Sequence, residues 1–205
     1  MNFIAPDVNI ISFLPEILLL LSGTALLFLP NSLGRGTAIP VSAATAIIFQ
    51  CLVIPVMWGR DIAGFNSLIV RDNFSILFQT MVGATALLAV AFSHYYLKQR
   101  RVSEGEYYGL ILYAVVGMNV MIAARDLLVI FLGMEILSLA LYVLVGFFRD
   151  IDISMEATVK YFLLGSFSSA LFLLGVAFFS ELSARPALTM LRQQSNSQVS
   201  ISCCS

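Results

Sequence analysis

Few side chains in this sequence can do chemistry in apolar surroundings, and Glu135 is the most isolated of them. It lies in LLVIFLGMEILSLALYVLVGFF, the run between Asp126 and Arg149, which holds no other charged side chain. As a helix this run extends roughly 33 Å at about 1.5 Å per residue, enough to cross a bilayer. Glu135 falls about 13 Å in from Asp126, near the middle. A carboxylate at that depth costs at least about 2–3 kcal/mol unless it is paired, hydrated or protonated. Ion or proton transport is therefore the first chemistry to test, with a purely structural polar contact as the plainer alternative. Ser138 and Tyr142 follow at i+3 and i+7 on the same helical face. Carboxyl, hydroxyl and phenol along one stripe can hold water or relay a proton. For the last two, ordinary interhelical hydrogen bonding is the plainer reading.

Lys160 is the second charge inside an apolar stretch. It stands one turn after Glu156, the spacing of an i,i+4 ion pair. It lies only about 6 Å inside that helix by rise, so its ammonium can snorkel to the interface. A buried lysine can also release a proton and so serve a relay. Gly165 and Ser169 add a small-xxx-small contact face. Asn119 and Gly117 read as packing positions within a span. His94, the single histidine, reads as a solvated helix end, and Cys51 as a small buried apolar residue. One histidine excludes a His-rich metal or haem site, and the adjacent Cys203 and Cys204 lack metal-site spacing. No phosphate-binding glycine loop, CxxC pair or nucleophile with a base is present.

The elements that must position these residues follow from composition. The chain has 205 residues, of which 60% are hydrophobic and 11% charged, far from the balance of a soluble domain. The fold class is an all-α, polytopic transmembrane helix bundle. Hydropathy places six spans near 12–30, 38–58, 74–93, 107–124, 127–148 and 157–180. Short polar segments between them carry nearly all the charges. Ser154 is expected to cap the sixth helix. Residues 1–181 form the transmembrane domain, and 182–205, rich in Ser and Gln, are expected to be a disordered tail. The net charge of −1 suggests no nucleic-acid partner; the lipid bilayer is the partner that composition implies.

The first span is preceded by no basic residue, so it reads as retained rather than as a secretory signal. With no transit-peptide pattern either, a bacterial inner membrane is expected. The dense cluster Lys98, Arg100 and Arg101 places the third connection in the cytoplasm and both termini outside. Trp58, Tyr95, Tyr96, Tyr107 and Tyr108 sit near span ends, where aromatic belts form.

The segment Glu106–Gly175 resembles subunit N of bacterial NADH–quinone oxidoreductase, the antiporter-like membrane subunit of respiratory complex I. The resemblance rests on FLGMEILSLALYVLVGF at 131–147 and SMEATVKYFLLGSFSSALFLLG at 154–175. Residues 1–105 match less closely, as that family's variable N-terminal helices do. The resemblance implies a proton-translocating subunit of the oxidoreductase, driven at a distance by quinone reduction. It assigns Glu135 as the fifth-helix glutamate and Lys160 as the sixth-helix lysine of the proton relay. It implies other membrane subunits as partners and quinone only indirectly. NADH, FMN and iron–sulfur clusters would belong to partner subunits, with no cofactor bound in this chain. Family members have roughly fourteen spans in two inverted repeats, with further lysines on later helices. Six spans here, and a tail unlike the family, lead to the expectation of a truncated subunit. Two alternatives stand beside this reading. One is a subunit of a multisubunit cation/proton antiporter, and the other a membrane assembly or interaction protein without transport.

Overall fold

A computed structural model describes residues 13–28, 38–59, 62–64, 68–100, 104–149 and 151–202. Six helices follow in chain order: α1 Leu14–Phe28, α2 Ala38–Val56, α3 Asn73–Arg100, α4 Glu104–Ala123, α5 Leu127–Val145 and α6 Asp152–Ser202. Five of them, α2 to α6, are long and apolar enough to cross a membrane. α1 is apolar but has only 15 residues, about 22 Å of rise. The flanking part of the expected first span lies outside the described residues, as does the first turn.

Two helix starts have a clear local cause. Asp126 precedes α5 in extended conformation and accepts the Leu128 N–H on Oδ1 at 2.8 Å, satisfying one of the donors that a helix start leaves free. At α3, Asp72 Oδ1 accepts from Ser75 N at 2.7 Å while Ser75 Oγ accepts from Asp72 N at 3.0 Å. This is a reciprocal cap with serine in the place glutamate usually takes. Ser154 is not the cap of α6. The helix starts two residues earlier, and Ser154 Oγ donates to the Val145 carbonyl at 2.6 Å, tying α6 to the end of α5.

The connection between α2 and α3 is more than a turn. It folds as an antiparallel hairpin of β1 Ile62–Gly64 and β2 Ile69–Arg71, with Ala63 opposite Val70. Gly59 leads into it at φ 78°, a left-handed conformation that glycine adopts without strain. Ile69 forms a further antiparallel bridge with Ala124, and Arg125 N donates to Leu68 O at 2.9 Å. The hairpin thus lies against the α4–α5 turn.

α4 is the hub, packed against α1, α2, α3 and α5. Its Tyr108, Leu112, Val115 and Val116 join Leu19 and Leu26 of α1, Ala43 and Ile47 of α2, and Val90 of α3 in one buried cluster. Where α4 meets α5, a Cβ on Gly117 would stand 2.8 Å from the Gly133 carbonyl, and one on Gly133 would stand 2.9 Å from the Gly117 carbonyl. Small residues let these backbones touch, the usual basis of helix association in lipid. Tyr108 is fully buried and so belongs to this core, not to an interfacial belt. Trp58, Tyr95 and Tyr96 are exposed.

α3 continues to Arg100, so His94 is inside the helix and half-buried, not at its end. α6 continues to Ser202, through the stretch whose polarity suggests disorder. That stretch carries good helix formers, among them Ala187, Leu188, Met190, Leu191 and Gln193. The chain divides into two compact units, Met1–Gly165 and Ser166–Ser205. The second unit consists of the remainder of α6.

Candidate functional site in the membrane-spanning helices

Glu135 stands in the ninth position of the 19-residue α5, about 12 Å from its start by helical rise. It is half-buried. Among the described residues it has neither an ion-pair nor a hydrogen-bond partner. The tight Gly117–Gly133 approach of α4 and α5 fixes the backbone two residues before it. The backbone that carries the carboxyl is thus set by the α4–α5 packing.

Along the expected stripe, Ser138 is half-buried and Tyr142 is buried. Tyr142 packs edge-on against Tyr161 and Phe162 of α6, with ring centroids 5.0 and 5.6 Å away. Its hydroxyl lies against Gly165, where a Cβ would overlap it. Gly165 is therefore a contact position, as its spacing suggests, and its partner is a phenol of α5. Lys160 is exposed and pairs with Glu156 on its own helix, Nζ to Oε1 2.5 Å. The i,i+4 pair is formed as the spacing predicts. Among the described residues no ion pair joins Lys160 to Glu135.

Sequence reasoning missed a buried ion pair. Glu16 of α1 and Arg71 of β2 form an ion pair with side-chain exposures of 6% and 1%. Arg71 Nη2 donates to both carboxylate oxygens, and Nη1 reaches Gln79 Oε1 of α3 at 3.5 Å. Gln79 Nε2 donates to Asn119 O of α4 at 3.1 Å and approaches Glu16 Oε1 at 3.5 Å. Asn119 is fully buried, and its carboxamide has no partner among the described residues. The available signal was a set of lone polar residues in apolar runs: Glu16, Gln79 and Asn119. Arg71 itself lies in the polar connection between two apolar runs, where a charge gives no such signal. Glu16 also walls a groove of about 430 Å³ lined by Ile17, Val116, Val120, Leu132 and Ile136. Leu132 and Ile136 are neighbours of Glu135 on α5, so the two carboxyl-bearing helices share this apolar groove.

Residues 124–204 match the family model described as NADH:quinone oxidoreductase/Mrp antiporter, transmembrane. The match covers α5, α6 and the tail, including the segment that composition sets apart from the family. A curated protein of Trichlorobacter lovleyi named NADH-quinone oxidoreductase subunit N is 40% identical over 83% of this chain and 35% of its own length. The chain is a relative of NADH-quinone oxidoreductase subunit N. A protein of Paramagnetospirillum magneticum with that name is 35% identical over 82% of this chain and 35% of its own length. The chain thus spans about a third of the length of these subunit N relatives.

Among solved structures, respiratory complex I from Thermus thermophilus with bound aureothin contains a chain that superposes at TM-score 0.68. It is 28% identical and covers 80% of this chain and 36% of its own. A chain of the archaeal membrane-bound sulfane sulfur reductase superposes at TM-score 0.66 with 23% identity, covering 82% of this chain and 36% of its own, and shares the fold. The all-α membrane bundle that the sequence predicts is thus the fold of an antiporter-like membrane subunit of complex I.

Proposed function

We propose that this chain is a multi-pass membrane subunit that takes part in proton translocation coupled to electron transfer from NADH to quinone. The observation that carries this reading is Glu135. It sits halfway along a membrane-spanning helix, half-buried, with no ion pair among the described residues. A carboxyl at that depth is costly unless it is paired, hydrated or protonated, which makes it the candidate for a proton relay. In this reading Glu135 and Lys160 are relay groups, and the Glu156 pairing of Lys160 is one position of a mobile side chain. The translocase activity belongs to the whole complex. In this reading NADH, FMN, iron–sulfur clusters and quinone act in or near partner subunits. The neighbours are other membrane subunits and lipid.

The location follows as part of the proposal: a bacterial inner membrane with both termini periplasmic. The bridge between Ile69 and Ala124 supports the alternation, because it brings the second and fourth connections to one end of the bundle. The family model names both oxidoreductase and antiporter, but the curated relatives named as subunit N favour the oxidoreductase.

The test uses a complete subunit carrying the Glu135 motif, assembled in its complex. Glu135→Gln keeps shape and hydrogen bonding but cannot exchange a proton as a carboxyl does. We expect quinone-coupled proton uptake to fall by roughly tenfold or more while complex content stays near the parent level. A full proton gradient at normal complex content would remove Glu135 from the relay.

A further inference from the structure

The Glu16–Arg71 pair lies outside the Glu135 stripe, and its connections run toward α5. Arg71 ends β2. Two residues earlier, Ile69 bridges Ala124, and Leu68 O accepts from Arg125 N at 2.9 Å. The next residue, Asp126, caps α5. Thus β2 touches the turn from which the Glu135 helix starts. At the other end of the same short strand, the Arg71 guanidinium is seated on Glu16 of α1 and Gln79 of α3. An arginine presents several donors in a fixed planar fork and keeps its charge. Here that fork spans two elements at once, which a single point charge does less well.

We propose that Glu16 and Arg71 form a buried clasp that holds β2 against the α4–α5 turn, making Arg71 a positioning residue for the helix that carries Glu135. The clasp rests on contacts alone; only its value for transport rests on the proposed role of Glu135. Burial explains why a pair, rather than one polar residue, is needed. Either charge left alone in this site is uncompensated, so loss of one partner should expel the other and draw β2 away from the turn.

Cross-linking reads this geometry without reference to proton transport. The full chain is used in membranes, with Cys51, Cys203 and Cys204 replaced. One pair of cysteines is introduced at Ile69 and Ala124, whose bridged backbones suit a disulfide. A second pair at Ala63 and Val70 reports the hairpin itself. Arg71→Gln and Glu16→Gln should each lower the 69–124 disulfide yield by at least about tenfold relative to the hairpin pair. Arg71→Lys should keep about half of it, because an ammonium still neutralises Glu16.

An unchanged 69–124 yield in Arg71→Gln overturns the clasp. So does equal loss in Arg71→Lys and Arg71→Gln, or loss of both disulfides together, which is general unfolding. If single variants fail to accumulate, Glu16→Gln/Arg71→Gln leaves no unpaired charge and carries the test. A low 69–124 yield with an intact hairpin supports the clasp, and a parental yield overturns it. None of these outcomes changes if Glu135 proves inert in transport.

Discussion

The chemistry proposed for Glu135 depends on its lacking a fixed counter-charge, and the contrast with Glu16 makes this concrete. Both are carboxyls on apolar helices. Glu16 is locked to an arginine and nearly inaccessible, a state suited to bracing. Glu135 is half-buried and unpaired among the described residues, a state suited to exchange. Tyr142 serves another purpose at this scale. Its ring is enclosed by Tyr161 and Phe162, and its hydroxyl rests on Gly165. Gly165→Ala should push the phenol out of that contact and cost roughly 1–3 kcal/mol. The cost should appear as a lower thermal midpoint in detergent. Adding Tyr142→Phe should recover part of it, because the overlapping oxygen is gone. An unshifted midpoint in Gly165→Ala would mean that the ring finds room elsewhere.

Between elements, two joints set the placement of α5. One is the α4–α5 backbone approach at Gly117 and Gly133. Gly117→Leu has no room for its side chain and should separate the helices, lowering the yield of folded protein well below that of the parent. Size-exclusion of a fluorescent fusion would report it, and a parental profile would show that α4 and α5 do not need this contact. The other is the α5–α6 connection, where Ser154 Oγ satisfies the Val145 carbonyl. Ser154→Ala leaves that acceptor to other donors and should destabilise by about 1 kcal/mol, seen as a small drop in thermal midpoint. Ser154→Thr should restore it. If Ala and Thr behave alike, the hydroxyl contributes nothing to the joint.

At the scale of the molecule, few residues in the apolar spans of α5 and α6 are fully buried, 17% and 0%. In a bilayer such surface is met by lipid or by other protein. The chain is about a third of its subunit N relatives in length. Orientation is the testable property at this scale. In a background without the native cysteines, Ser103→Cys should react with an impermeant maleimide only from the cytoplasmic side. Leu68→Cys, in the connection that meets the α4–α5 turn, should react only from the opposite side. Reversal of both would invert every helix. Labelling of both from one side would break the alternation itself.

Sequence alone determined the things that neighbouring residues decide together. Hydropathy located the helices to within a few residues, apart from the longer reach of α3 and α6. The rise of α5 set Glu135 at mid-span, and i,i+4 spacing predicted the Lys160–Glu156 pair. Inward and outward faces were not legible, because lipid and protein interior are equally apolar and leave no amphipathic pattern. Tyr108 therefore looked interfacial and proved to be core. Ser154 looked like a cap, yet its hydroxyl serves the previous helix, a choice made by how α5 and α6 meet. Glu16 and Arg71 lie 55 positions apart. Their union depends on a hairpin and three helices arriving at one point, and no local periodicity encodes that. Only the tertiary structure could pair one carboxyl with an arginine and leave the other without an ion pair among the described residues.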